Sequence, residues 1–224
     1  MTEPPSTVAA VLSIARVTFR RSSRGMLPAI AFLISLLPVL AAAPMHDRGS
    51  SAAELVMLVL VILPPMFVAS SLGEEIEDKT AAYLWARPLP RWTIIAGKLL
   101  ALAPMCAAYV TGSLIGCGYA GDHALLNAGA ITSIAVGALA TCCAVAGIAA
   151  ILPRHAMIFS IIYLLLDLTI GSIDASMHYA SLAYAMRTIA GQTGSVALTG
   201  AISMVAISGF WLTVAFRRIA RLEI

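Results

Sequence analysis

The sequence predicts an all-α membrane protein. It has six transmembrane helices, an N-terminal amphipathic interfacial helix, a cytoplasmic helix between the second and third spans, and a re-entrant outer helical segment before the last span. Three observations carry this. Hydrophobic residues make up 60% of the 224 and charged residues 11%, with a mean hydropathy of +0.94, whereas soluble domains carry roughly 25% charge. Apolar runs near or above the ~20 residues that cross a hydrocarbon core recur six times. Threaded alternately through a bilayer, those runs leave twelve of the fourteen Lys and Arg on one side, which is the positive-inside pattern.

The first element covers residues 1–24. Val8, Val11, Leu12, Ala15 and Phe19 share one helical face, and Arg16, Arg20, Arg21 and Arg24 gather toward the end. This spacing describes an amphipathic helix at the membrane surface; the plainer alternative is a positively charged flank of the first span. The same arginines interrupt any long apolar core, so a cleavable signal peptide is not expected.

The six-helix domain occupies 25–224. Its spans fall at about 26–43, 54–72, 92–117, 127–152, 157–173 and 196–216. Pro28, Pro38, Pro64, Pro65 and Pro104 lie within them, where a missing N–H frees a carbonyl and bends the helix. The fourth span is dense in small residues, among them Gly129, Ser133, Gly137, Ala140, Ala144 and Gly147, which let neighbouring helices approach closely. Cys106, Cys117, Cys142 and Cys143 sit in or beside apolar spans without ligand spacing and read as small buried hydrophobes rather than a metal or disulfide set.

With the N-terminus inside, the inner segments hold Arg16, Arg20, Arg21 and Arg24, then Lys79, Arg87, Arg91 and Lys98, then Arg154, then Arg217, Arg218 and Arg221. Only Arg48 and Arg187 stay outside. Both termini are therefore expected in the cytoplasm, with the chain in the cytoplasmic (inner) membrane. The outer stretch at 175–195 is too short to cross twice and too apolar for a free loop. A re-entrant or interfacial pair of short helices, broken near Gly191, answers both constraints. A gate and a static plug fit it equally.

The stretch from 73 to 98 is the longest polar interruption. Four of the eleven acids, Glu74, Glu75, Glu77 and Asp78, open it, and Lys79, Arg87, Arg91 and Lys98 follow. Acids at its start suit a helix N-terminus. Residues 80–86 hold no Gly or Pro, and Arg87-Pro88 and Pro90 end the run. Ile76, Thr80, Tyr83 and Leu84 share a weakly apolar face, with Trp85 and Asp78 opposite. A connector this long and this ordered in charge is expected to meet a partner.

Motifs for chemistry are missing. The sequence contains no Gly-x-x-x-x-Gly-Lys-[Ser/Thr] and no His-Glu-x-x-His, and His46, His123, His155 and His178 are scattered. Asp167 is the one acid deep in a span, with Asp174 seven residues on, roughly 10 Å along the same helix. Paired catalytic aspartates come from different elements and share a proton, so two on one helix do not form such a pair. An acid at this depth faces the protein interior or a watery cavity. Helix packing through a hydrogen bond and the lining of a substrate path both remain open for Asp167 and Asp174. The sequence therefore predicts neither an enzyme nor a nucleic-acid partner.

The central stretch also carries a resemblance. Acids at 74–78 are followed by Leu84-Trp85-Ala86-Arg87-Pro88-Leu89-Pro90-Arg91 and then by Gly97-Lys98-Leu99-Leu100. This order, together with the amphipathic helix, six spans and re-entrant segment, resembles the membrane-spanning permease subunit of ABC-2 type ATP-binding cassette transporters. Lys79 departs from it, standing where many relatives have glycine. The resemblance implies a half-transporter that forms a homodimer or heterodimer among membrane lipids and pairs with separate ABC ATPase subunits. ATP and magnesium would be bound by those partners, and no cofactor by this chain. The segment 73–91 would be the coupling helix, with Glu74, Glu75, Glu77, Asp78, Tyr83, Leu84, Trp85, Arg87 and Arg91 meeting the ATPase. Export of a substrate is the function implied; the alternative is a membrane partner whose ATPase drives assembly or maturation of another protein.

Overall fold

The computed structural model describes residues 7–43, 49–77, 90, 92–121, 123–173, 176–191 and 195–221. Every regular element among them is helical. Helix α1 (Thr7–Arg24) meets α2 (Leu27–Ala42) at 69° across Gly25 and Met26. Pro28 lies in the first turn of α2, where its missing N–H would have had no helical acceptor in any case.

Helix α3 (Gly49–Pro64) runs through one π-helical turn (Pro65–Ala69) into α4 (Ser70–Glu77). The cause is in the sequence. Pro64 and Pro65 are adjacent and neither has an N–H, so two successive helical bonds are absent. The backbone widens after them, and the Ser70 N–H reaches the Pro65 carbonyl five residues back.

Helix α5 (Trp92–Ala120) has 29 residues and is about 43 Å long, so it outruns the hydrocarbon core. Helix α6 (Ala128–Ile151) opens on Asn127, whose side-chain oxygen accepts the Gly129 N–H at 3.0 Å. It stops at Leu152, held at φ −126° and ψ 66° by the proline that follows. A short turn (Pro153–His155) leads to α7 (Ala156–Ile170), then a 3-10 turn (Ser176–Ala180), α8 (Leu182–Gly191) and α9 (Ser195–Ala220).

The small-residue helix α6 is the centre of the bundle, packed against α5, α7, α8 and α9. A Cβ on Gly147 would come within 2.5 Å of the Trp211 ring and 2.9 Å of its carbonyl, so only glycine admits α9 this closely. Gly137 gives the same room to the Met186 side chain of α8. Buried Ser133 donates to the Met186 carbonyl at 2.6 Å, adding a polar tie in the apolar contact. On α5, Gly116 receives Val39 of α2, and Tyr109 stacks on Phe67 of the π turn at 6.1 Å.

Among the described residues, five helical stretches are long and apolar enough to cross a membrane: Ala53–Gly73, Trp92–Ala120, Ala128–Ile151, Pro153–Ile170 and Ala197–Ala220. The 16 residues of α2 cover only about 24 Å, and α2 qualifies only jointly with α1 across their bend. Outward faces are apolar, with Leu33, Leu37, Ile158, Leu166, Leu198 and Val205 exposed, as expected of a multi-pass membrane protein.

Two expectations shift. The outer stretch breaks at Ser181, between the 3-10 turn and α8, while Gly191 is where α8 ends. Glu74, Glu75 and Glu77 do not open a helix: they continue α4, which begins at Ser70, so the dipole argument made for them at a helix start does not apply.

Candidate functional site

One end of the bundle carries the expected docking segment. Of its residues, Asp78, Tyr83, Leu84, Trp85, Arg87 and Arg91 lie outside the described residues, and Glu74, Glu75 and Glu77 are described in backbone only. What the structure places is the seat from which that segment leaves and to which it returns.

On the leaving side, Gly73 in α4 sits on the turn between α6 and α7. A Cβ there would lie 2.8 Å from the Pro153 carbonyl, so glycine is what permits the contact. Lys98 on α5 is 3% exposed, and its ammonium donates to the Ser71 carbonyl across a separation of 27 residues. Its buried stem and directed head make it a clamp between α4 and α5. Nothing in the sequence pattern marks this contact, since Ser71 is 27 residues away.

On the returning side, Thr93 begins α5 with its hydroxyl on the Pro90 carbonyl at 2.7 Å and its N–H on the same oxygen at 3.0 Å. Trp92 meets Phe216 of α9 edge-on at 6.2 Å. Between them lies an open groove of about 640 Å³ lined by Pro90, Trp92, Phe216, Arg217 and Ala220. Both anchors of the 78–89 segment therefore stand on the same end of the bundle, beside Arg154, Arg217 and Arg218.

The opposite end holds Asp167. Its carboxylate oxygens accept the Leu182 N–H at 3.0 Å and the Ala183 N–H at 2.9 Å. Ser181 donates to the Asp167 carbonyl at 2.9 Å and accepts the Tyr184 N–H at 3.2 Å. The first turn of α8 is thus capped twice, by its own serine and by an aspartate from α7. Gly171 makes room, since a Cβ there would stand 2.7 Å from the Ser181 hydroxyl, and Arg187 donates to the Gly171 carbonyl at 3.3 Å. Asp167 therefore joins two helices. Asp174 lies outside the described residues. Ser181 was not singled out from sequence, although a serine ahead of an apolar run is a cap signal.

Among the described residues, no three His, Cys, Asp or Glu side chains come together as a metal site. Cys106, Cys117 and Cys142 are buried, Cys143 is half-buried, and all four are free thiols. No protein-family model matches the chain, and no curated protein matches it in sequence.

Proposed function

We propose that this chain is the permease subunit of an ABC-2 type exporter, coupled through residues 73–91 to a separate ATPase. The observation that carries the reading is the double anchoring of that segment. Gly73 is seated on the Pro153 turn, Lys98 holds the Ser71 carbonyl, and Thr93 fixes Pro90 at the head of α5. A load applied between residues 78 and 89 is delivered at once to the α3–α4 span and to α5. The π turn at Pro65–Ala69 lies on that route and gives the span a point at which to yield.

In this reading α2 is the first of six spans, both termini are cytoplasmic and α1 lies in the inner interface. Two such chains pair, and closure of the ATPases on ATP favours one of two arrangements of the pair, which is how a ligand that never touches the pore drives it. Asp167 belongs to the scaffold of the outer segment. The test is copurification. Tagged protein taken in mild detergent from the membranes of its native host is expected to bring down an ABC ATPase in stoichiometric amount. Substrate transport by the reconstituted pair separates export from a role in assembling another protein. A lone six-helix chain with no ATPase activity in the eluate contradicts the proposal.

A further inference from the structure

A second groove, of about 510 Å³, lies between α1 and α5, a size typical of ligand sites, which run from ~300 to ~1,000 Å³. One wall is the α1 stripe Leu12, Ala15, Arg16 and Phe19, and the other is built around Leu100, Pro104 and Ala108 of α5. The helices are pinned beside it by Ile14, which lies against Gly97 where a Cβ would be 2.8 Å away. The groove lies two to ten residues beyond Lys98 along α5, within a helix long and apolar enough to cross a membrane.

Arg16 is the one charged residue in an otherwise apolar lining, and no hydrogen bond or ion pair engages it among the described residues. Charge around it is of one sign. Helices α1, α2 and α5 together carry four arginines and one lysine and not a single Asp or Glu. Pro104 has no N–H, so the Leu100 carbonyl on the same wall lacks its helical donor. An apolar trough, a guanidinium and a spare acceptor ask for a ligand with a hydrocarbon chain, an anionic oxygen group and a hydroxyl. A purely apolar partner helix would leave Arg16 unanswered.

We infer that this groove binds an anionic phospholipid, with an acyl chain along Leu12, Phe19 and Ala108 and the phosphate held by Arg16. The guanidinium suits a phosphate bidentately, and Arg20, Arg21 and Arg24, all exposed further along α1, raise the local concentration of anionic lipid. This goes beyond the exporter reading and does not rest on it, since the groove is built by α1 and α5 alone.

Full-length protein purified in mild detergent and titrated with phosphatidylglycerol or phosphatidylcholine of the same acyl chains, followed by native mass spectrometry, tests it. Arg16→Gln is expected to weaken phosphatidylglycerol binding about fivefold, the effect of one cation at an anionic headgroup, and phosphatidylcholine binding less, since its choline cation offsets the phosphate charge. Arg20→Gln, outside the groove, is expected to do less. Ala108→Trp is expected to displace both lipids by filling the trough. Equal losses from Arg16→Gln and Arg20→Gln, or wild-type phosphatidylglycerol binding in Arg16→Gln, would overturn the inference. Arg16 is exposed, so the glutamine variant keeps the test alive even where the tryptophan variant does not fold.

Discussion

At the scale of single residues, two buried charges hold the ends of the bundle together. Asp167 accepts two amide hydrogens at the start of α8, and asparagine offers only one acceptor oxygen and turns an N–H toward the other amide. Asp167→Asn should therefore lower the stability of the purified protein by about 1–3 kcal/mol, the cost of losing a charged partner and leaving a donor unmet. The complex should still assemble. Thermal unfolding in detergent reads the first and gel filtration the second; an unchanged midpoint would contradict the capping role. Lys98→Met should release the Ser71 carbonyl, and hydrogen exchange across residues 71–77 should rise about tenfold or more, corresponding to a charged bond of about 1.5–3 kcal/mol. The depth of Asp167 in the sequence already required a partner, but the partners are backbone amides 15 and 16 residues away, which no spacing rule specifies. The same holds for Lys98 and Ser71. Residue type announced the need, and only the path of the chain supplied the answer.

At the scale of elements, helix positions followed from apolar run lengths, and their joints followed from prolines and glycines. Pro153 ends α6 and the Pro64-Pro65 pair sets the π turn, both as local backbone rules require. The run lengths misled where a helix outlasts its apolar segment: α4 carries the second span onward to Glu77, and so takes in acids that looked like the beginning of a new helix. The small residues of the fourth span read as packing positions, and α6 is the helix that its neighbours share. Which glycine matters is a tertiary fact. Gly147→Ala should cost about 1–3 kcal/mol, because the new methyl meets the Trp211 ring and carbonyl. Gly112→Ala, with nothing within 4 Å, should be neutral or stabilise by up to about 1 kcal/mol through helix propensity. Paired thermal unfolding of the two variants checks this, and equal effects would mean that α6 and α9 do not meet as described.

At the scale of the whole molecule, the account rests on one end of the bundle being a loading point. The multi-pass membrane character was legible in composition because it needs only an excess of apolar residues. The proposed docking segment rests on the pattern of acids, aromatics and arginines at 74–91, and the structure contributes the two anchors on either side of it. Reversing Glu74, Glu75, Glu77 and Asp78 to lysine should leave the chain in the membrane and cut recovery of the ATPase at least tenfold, since like charges across an interface cost several kcal/mol. The measurement that tests the central claim most directly is that comparison: coexpress the ATPase with wild-type and charge-reversed chain, solubilise gently, and measure ATPase mass and activity in each eluate. A stoichiometric, active ATPase with the wild type and its loss with the variant is the result this account predicts. Equal recovery with both chains, or no ATPase with either, would contradict it.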